Sequence, residues 1–142
     1  MEELKPGLVG EKRLVVEEGQ TASHLGSGGV PVYATPMMIL AMEEAALGAV
    51  DHLLGEGKAT VGYRLDVRHL AATPLGMKVA ARAELIAVDG KMLTFRVEAR
   101  DEVELIGEGT HVRAIIDTAK FAAKLAAKNG GPETHQSKAK NH

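Results

Sequence analysis

The 142-residue sequence has no cysteine and no tryptophan. Without cysteine it can form no disulfide, thiolate nucleophile or cysteine-type zinc site, which fits a reducing compartment. Two tyrosines and two phenylalanines are too few for base-stacking platforms, and a net charge of −2 gives no general attraction to nucleic acid or anionic membrane. No apolar run is long enough to cross a bilayer, and the first residues do not resemble a signal peptide. We therefore expect a cytoplasmic protein without nucleic-acid or membrane partners.

The sequence is 45% apolar and 25% charged, which is typical of a globular chain with a hydrophobic core. We predict one domain over residues 1–128. Residues 129–142 show no hydrophobic periodicity and are predicted to be a disordered tail.

The longest helical pattern covers residues 35–54 and contains an anomaly. Thr35 followed by Pro36 is typical of a helix start, with the threonine hydroxyl as the cap. Glu43 lies within the apolar arc of this helix instead of on its polar side. A buried carboxylate must pair, protonate or face a wet cleft, so Glu43 is either a structural residue or a catalytic acid, base or nucleophile. The apolar arc consists of Ile39, Leu40, Met42, Leu47, Val50, Leu53 and Leu54.

Alternating segments predict strands over residues 12–17, 60–69, 78–88, 93–99 and 105–117. Their short connections favour antiparallel pairing, and one apolar helix against such a sheet gives an α+β fold. In the second strand, alternation places His69 at the end of the apolar side, with Thr60 and Gly62 on the other side. A histidine there is either a hydrogen-bonded structural residue or a catalyst.

The loop over residues 20–30 leads directly into the long helix, and Gly26-Ser-Gly-Gly29 is its most flexible part. It is either an ordinary connector or a cover for a site at the helix start.

Three segments together resemble the fluoroacetyl-CoA thioesterase family of hot-dog enzymes. They are Val32-Tyr-Ala-Thr35 followed by Met42-Glu43, then Val67-Arg-His-Leu-Ala-Ala-Thr-Pro-Leu-Gly76, and Ile106-Gly-Glu-Gly-Thr-His-Val-Arg113-Ala. They occur in the family's order and spacing, over about residues 32–121. The resemblance implies a hot-dog fold, in which an antiparallel sheet wraps around one long central helix. It also implies a homodimer, or a tetramer, formed by joining sheets edge to edge.

The resemblance implies residue roles as well. By position, Thr35, Glu43 and His69 would be catalytic, and Gly62 and Arg113 would position the substrate. The implied reaction is hydrolysis of a short acyl-CoA to a carboxylic acid and free coenzyme A, with no cofactor beyond the coenzyme A of the substrate. The family's phenylalanine lid is replaced in this sequence by Leu25-Gly-Ser-Gly-Gly-Val30.

Two other functions fit the same fold. One is a non-hydrolytic acyl-CoA binding module. The other is a hot-dog 3-hydroxyacyl thioester dehydratase, for which the sequence lacks the expected paired Asp/His motif. The histidines and carboxylates show no ligand spacing such as His-x-x-x-His, so no metal site is predicted.

Overall fold

The computed structural model describes residues 3–130, so most of the predicted tail lies outside the described residues, and the boundary between residues 1–128 and 129–142 stays a prediction. One-turn 3₁₀ segments precede α1 and follow α2. The main elements are β1 (Val9–Val15), α1 (Ala22–Leu25), α2 (Thr35–Val50), β2 (Lys58–His69), β3 (Lys78–Asp89), β4 (Met92–Asp101), β5 (Leu105–Asp117) and α3 (Thr118–Lys128). Within residues 3–130, no helix has both the length and the apolar character needed to cross a membrane.

The five strands form one antiparallel sheet in the order β1-β3-β4-β5-β2, which confirms the predicted α+β architecture. Its centre follows the predicted alternation closely. The inward side chains of β4 are fully buried, and the predicted bounds of β5 agree with the observed strand. Strands β1 and β2 are the two edges, so β2 has one side free for pairing.

Helix α2 lies against the inner face of the sheet through small side chains. A Cβ on Gly10 of β1 would collide with the backbone of Ala45 and Ala49, so strand and helix backbones touch there. The predicted apolar arc is therefore wrong in part, because the leucines Leu40 and Leu47 are 43% and 38% exposed. Close approach requires small residues at the contact, which turns these larger side chains outward. The buried side chains of α2 are Met38, Ala41, Met42, Ala45, Ala46, Ala49 and Val50.

Strand β2 contains a bulge that simple alternation does not reveal. Gly62 pairs with Arg113 and Arg64 pairs with Val112, which leaves Tyr63 as the extra residue. A bulge shifts the side-chain phase by one residue. The prediction that Thr60 and Gly62 face away from the helix is therefore wrong: Thr60 is buried, and a Cβ on Gly62 would touch Glu43 of α2.

Candidate active site

The start of α2 joins two of the predicted site residues. Ala34 is the N-cap and Thr35 is the first helical residue, so the predicted capping role of the threonine hydroxyl is wrong. The hydroxyl Oγ1 lies 2.7 Å from Nδ1 of His69, the last residue of β2. This hydrogen bond can run in either direction, depending on the imidazole tautomer. Through this hydrogen bond, Thr35 and His69 can exchange a proton directly.

The second ring nitrogen of His69 has no such partner. Within residues 3–130, His69 Nε2 is the one buried side-chain nitrogen or oxygen that makes no hydrogen bond of acceptable geometry. Burial lowers the pKa of His69 below its usual value of 6.5, although the backbone of Ala71 acts in the opposite direction. The imidazole is therefore neutral at pH 7, with a nitrogen available for proton exchange.

Thr35 and His69 line a cavity of about 320 Å³. Ala22 and Ser27, from the loop predicted over residues 20–30, form another part of its wall. This loop contains the one-turn helix α1, which sequence periodicity missed and which ends at Gly26 with a φ of +76°. The loop thus borders the cavity, and its described residues in the wall contribute no aromatic ring.

Tyr33, which precedes the helix, is the aromatic residue of the cavity wall. It is buried, and its hydroxyl donates to the Met37 carbonyl at 3.2 Å. Burial, followed by the charge of Glu44, raises the pKa of Tyr33 to about 12. The phenol therefore stays neutral and is engaged with the helix.

Glu43, Gly62 and Arg113 form a second group. A Cβ placed on Gly62 would lie 2.9 Å from Glu43 Oε2 and 3.9 Å from Arg113 Nη1, so one small space is bordered by all three residues. Glu43 is half-buried, and Gly62 is exposed at the edge of the sheet. The carboxylate therefore lies beside exposed backbone at the sheet edge and is not enclosed in the core.

Arg113 is held in place by a network that sequence reasoning missed. It is 5% exposed, so its guanidinium is buried and is not a solvated surface charge. Its Nε and Nη2 donate to the hydroxyl and carbonyl of Thr60 at 2.8 and 3.0 Å. The Thr60 hydroxyl in turn donates to Asp51 Oδ1 at 2.6 Å. Only the bulge in β2 turns Thr60 toward these partners.

His111 completes this network. Its Nδ1 donates to the Arg64 carbonyl at 2.9 Å, because a carbonyl can only accept, and Nε2 then accepts from Arg113 Nη1 at 3.1 Å. Burial lowers the pKa of His111, Arg113 lowers it further, and the Arg64 carbonyl and Glu43 oppose the shift. His111 is thus a neutral spacer between the bulge and the guanidinium. Its position on the same strand face as Arg113 was visible in the sequence.

The two groups are separate within one chain. Glu43 follows Thr35 by eight residues, which is about 12 Å along a helix. Glu43 does not line the cavity of Thr35 and His69. The structure therefore brings together Thr35 with His69, and Glu43 with Gly62 and Arg113, but not all five residues.

Comparisons with known proteins agree with this architecture. The family model of fluoroacetyl-CoA-specific thioesterases matches residues 16–119. A fluoroacetyl-CoA thioesterase of Streptantibioticus cattleyicolor is 44% identical over 97 residues, or 68% of this chain and 70% of that protein. A solved fluoroacetyl-CoA thioesterase superposes with a TM-score of 0.83 at 37% identity, over 89% of this chain and 98% of its own. A thioesterase superfamily member of Thermus thermophilus gives a TM-score of 0.83 at 32% identity, with coverages of 91% and 96%.

An antiparallel sheet packed against one long helix is the architecture of the hot-dog thioesterase superfamily. The sequence matches are more specific than the fold. The chain belongs to the fluoroacetyl-CoA-specific thioesterase family, and it is a thioester hydrolase. The predicted family, fold class and enzyme class are confirmed, whereas the roles of the individual site residues stay predictions.

Proposed function

We propose that the protein hydrolyses short acyl-CoA thioesters to a carboxylic acid and free coenzyme A in the cytoplasm, without a metal or further cofactor. The observation that carries this proposal is the hydrogen bond of 2.7 Å between Thr35 Oγ1 and His69 Nδ1, two residues of one cavity wall, combined with the buried and unpartnered Nε2 of His69. A neutral imidazole in that position can accept a proton from a nucleophile and return it to a leaving thiolate. The relative that is 44% identical is named for fluoroacetyl-CoA, which supports a short acyl group.

Thr35 and His69 act as a pair in the proposed reaction. The hydroxyl either attacks the acyl carbon itself, with His69 taking its proton, or holds the attacking water by hydrogen bonding. His69 then protonates the departing sulfur of coenzyme A. Where Thr35 has taken the acyl group, water, deprotonated by His69, hydrolyses the ester and restores the hydroxyl. The lowered pKa of His69 supports this cycle, because an imidazole that is neutral at pH 7 is ready to accept the first proton.

Glu43 acts either as a general base on water or as a nucleophile that forms a transient anhydride. Its opening toward solvent at Gly62 supports access of water or substrate to the carboxylate. Gly62 leaves the space that an acyl group needs, and Arg113, fixed by Thr60 and His111, positions the substrate by charge and hydrogen bonding.

The developing oxyanion requires donors that are already oriented. At the start of α2 the Ala34 amide bonds to Gln20, Pro36 has no N–H, and the Met37 amide bonds to Ala34. The Thr35 amide makes no hydrogen bond to any residue in 3–130. We assign it as the oxyanion donor, since the first turn of a helix leaves such amides free.

A homodimer explains why the site residues fall into two groups. Tyr63 and Leu65 on the free edge strand β2 are 69% and 40% exposed. Antiparallel pairing of β2 with the same strand of a second copy would cover them. It would also set the His69 end of one strand beside the Gly62 end of the other, so that each site draws on both chains. A fully active species with a monomeric mass in light scattering would contradict this arrangement.

The central test is Glu43→Gln, which keeps the shape and removes the charge. We expect kcat for acetyl-CoA to fall by roughly 10²-fold or more, measured as thiol release with a thiol reagent. Glu44→Gln is the matched control: Glu44 is the next residue, and its ion pair within residues 3–130 is the half-exposed contact with Lys12 at 3.8 Å. If the Glu43→Gln variant folds and keeps a near-normal kcat, Glu43 has a structural role and no catalytic one. Acyl-CoA binding without thiol release by the unaltered protein would indicate a binding module, and double-bond formation a dehydratase.

A further inference from the structure

Helix α3 forms a groove with the end of β5 that the proposed reaction does not use. None of its residues is fully buried, and Phe121 is its one half-buried side chain. The groove has a volume of about 430 Å³. It is lined by three lysines, Lys91, Lys120 and Lys124, by the Phe121 ring, and by residues 115–117 of β5. We call it the lysine groove.

The positive charge of the lysine groove exceeds the negative charge of its wall, although Lys120 interacts electrostatically with Asp117. Its lysines form no ion pair within 4.0 Å with any residue in 3–130. Asp117, the one acidic wall residue, accepts the Lys120 backbone N–H at 3.0 Å, and its other oxygen lies 4.0 Å from Lys58 Nζ. Helix α3 carries three lysines and no acidic residue, in a chain of net charge −2. The groove is therefore a local attractor for anions.

The walls combine two kinds of recognition. Lysine ammonium groups on long stems contact phosphate as mobile point charges. Phe121, backed by Ile115 and Ile116, offers an aromatic face on which a planar base can stack. A phosphorylated nucleotide needs both features, whereas a simple anion needs only the lysines.

The position of the lysine groove fits the far end of an acyl-CoA. Ile115 follows Arg113 by two residues on the same face of β5, which is about 7 Å along a strand. Coenzyme A carries its thioester at one end of a long flexible arm and its phosphates and adenine at the other. The Ile115 amide donates to the Lys91 carbonyl at 2.8 Å, so the groove lies on the β4 side of β5. It therefore stays open when the β2 edge pairs.

We propose that the lysine groove binds the phosphate-bearing nucleotide end of coenzyme A, with Lys91, Lys120 and Lys124 on the phosphates and Phe121 against adenine. The identity of the ligand rests on the proposed function.

A second cationic cavity, of about 400 Å³, contains Arg13, Lys78 and Arg100. Asp101 and Glu102 line the same cavity, so it repels phosphate as well as attracting it. The lysine groove has one acidic wall residue beside three lysines, so it is the better candidate for binding phosphate groups.

The test is calorimetric binding of adenosine 3′,5′-bisphosphate, which has the nucleotide character of coenzyme A but no thioester. The double variant Lys120→Gln/Lys124→Gln is compared with Lys78→Gln, which removes one lysine from the second cavity. An exposed charge pair changes affinity by up to about fivefold, so we expect binding to weaken by about that factor for each lysine removed. We also expect KM for acetyl-CoA to rise in parallel at constant kcat, and hydrolysis of acetyl-pantetheine to stay unchanged.

Unchanged nucleotide binding and KM in the double variant would overturn the proposal. An equal loss of nucleotide affinity in Lys78→Gln would also overturn the proposal, because it would assign the phosphates to the second cavity. Binding of phosphatidylglycerol vesicles that needs the two lysines, without nucleotide binding, would assign α3 to a membrane surface instead. Lysine-dependent nucleotide binding by a protein that releases no thiol would uphold the groove and reject the proposed hydrolysis, so the two failures are distinguishable.

Discussion

The substitution Gly62→Ala tests the group formed by Glu43, Gly62 and Arg113 by adding a single carbon atom to it. The new Cβ would lie 2.9 Å from Glu43 Oε2, whereas ordinary contact begins at 3.4 Å, so the carboxylate must move by roughly 0.5 Å or more. The other neighbours, His111 Cε1 at 3.6 Å and Arg113 Nη1 at 3.9 Å, are already at contact distance and need not move. Among the neighbouring protein atoms, the substitution therefore displaces only the carboxylate of Glu43.

The expected effect on stability is small. Oε2 is the end of a flexible side chain, and turning it away from its preferred rotamer costs about 0.5–1.5 kcal/mol. Gly62 does not have a positive φ, so alanine fits the backbone and stiffens the unfolded chain, which returns about 0.4–1 kcal/mol. We expect the free energy of unfolding to change by less than about 1 kcal/mol in urea titrations.

The expected effect on activity is large. A displacement of about 1 Å at a reacting group can cost roughly 10²-fold in rate, so the 0.5 Å shift predicts a fall in kcat of about 10-fold to 10²-fold. Gly48→Ala in α2 is the control, because its Cβ would meet nothing within 4 Å. It should stabilise the helix by about 1 kcal/mol and leave kcat unchanged.

A double-mutant cycle identifies the cause. If Gly62→Ala acts by moving Glu43, it should cost little further rate in the Glu43→Gln background, since that carboxylate is already lost. Full additivity of the two losses, or a normal kcat in Gly62→Ala, would refute the reasoning.

Three further outcomes are expected. The pH profile of kcat/KM should have a limb below the usual histidine value of 6.5, because burial lowers the pKa of His69 and activity falls as the neutral imidazole is protonated; His69→Ala should lack this limb, and an unchanged limb would assign it elsewhere. Gly10→Ala should lower the free energy of unfolding by about 1–3 kcal/mol in urea titrations, because its Cβ meets helix backbone that cannot yield, whereas Gly19→Ala, with nothing within 4 Å, should change it by less than about 1 kcal/mol; equal effects would refute the close contact. In a panel of fluoroacetyl-, acetyl-, propionyl- and butyryl-CoA, the glycine-rich loop over residues 25–30, which is costly to order and has no aromatic ring, predicts little fluoro preference and ratios between neighbours of about 10-fold or less; a preference of thousands-fold for fluoroacetyl over acetyl would contradict this.

The sheet centre was the most predictable part of the fold. Leu93, Phe95 and Val97 alternate strictly with polar residues, and a strand with one buried face must show this period. Helix α1 was missed because four residues are too few to reveal a 3.6-residue period. The first strand was predicted over residues 12–17 and lies at Val9–Val15, where Gly10 weakens the strand pattern but is required by the helix.

The sequence indicated the candidate site residues one by one, and their roles stay predictions, but it did not indicate their connections. The sequence marks Glu43 as an odd carboxylate and His69 as an odd histidine, because each interrupts an apolar pattern. It cannot show that the Thr35 hydroxyl bonds to His69 rather than capping its helix, since that choice depends on a residue 34 positions away. The hydrogen bonds from Thr60 to Asp51 and from Arg113 to Thr60 were likewise hidden, because they exist only after the bulge turns Thr60 inward.

The bulge at Tyr63 also determines which residues of β2 share a face of the sheet. In a regular strand, two residues separated by an odd number of positions face opposite sides. Gly62 and His69 are seven positions apart, yet both face α2, where they meet Glu43 and Thr35. A regular strand of the same length, without the bulge, would turn one group of site residues away from the helix. Deletion of one residue in this segment therefore keeps both groups facing the helix only if it removes the bulge at the same time, because an even separation in a regular strand restores the shared face.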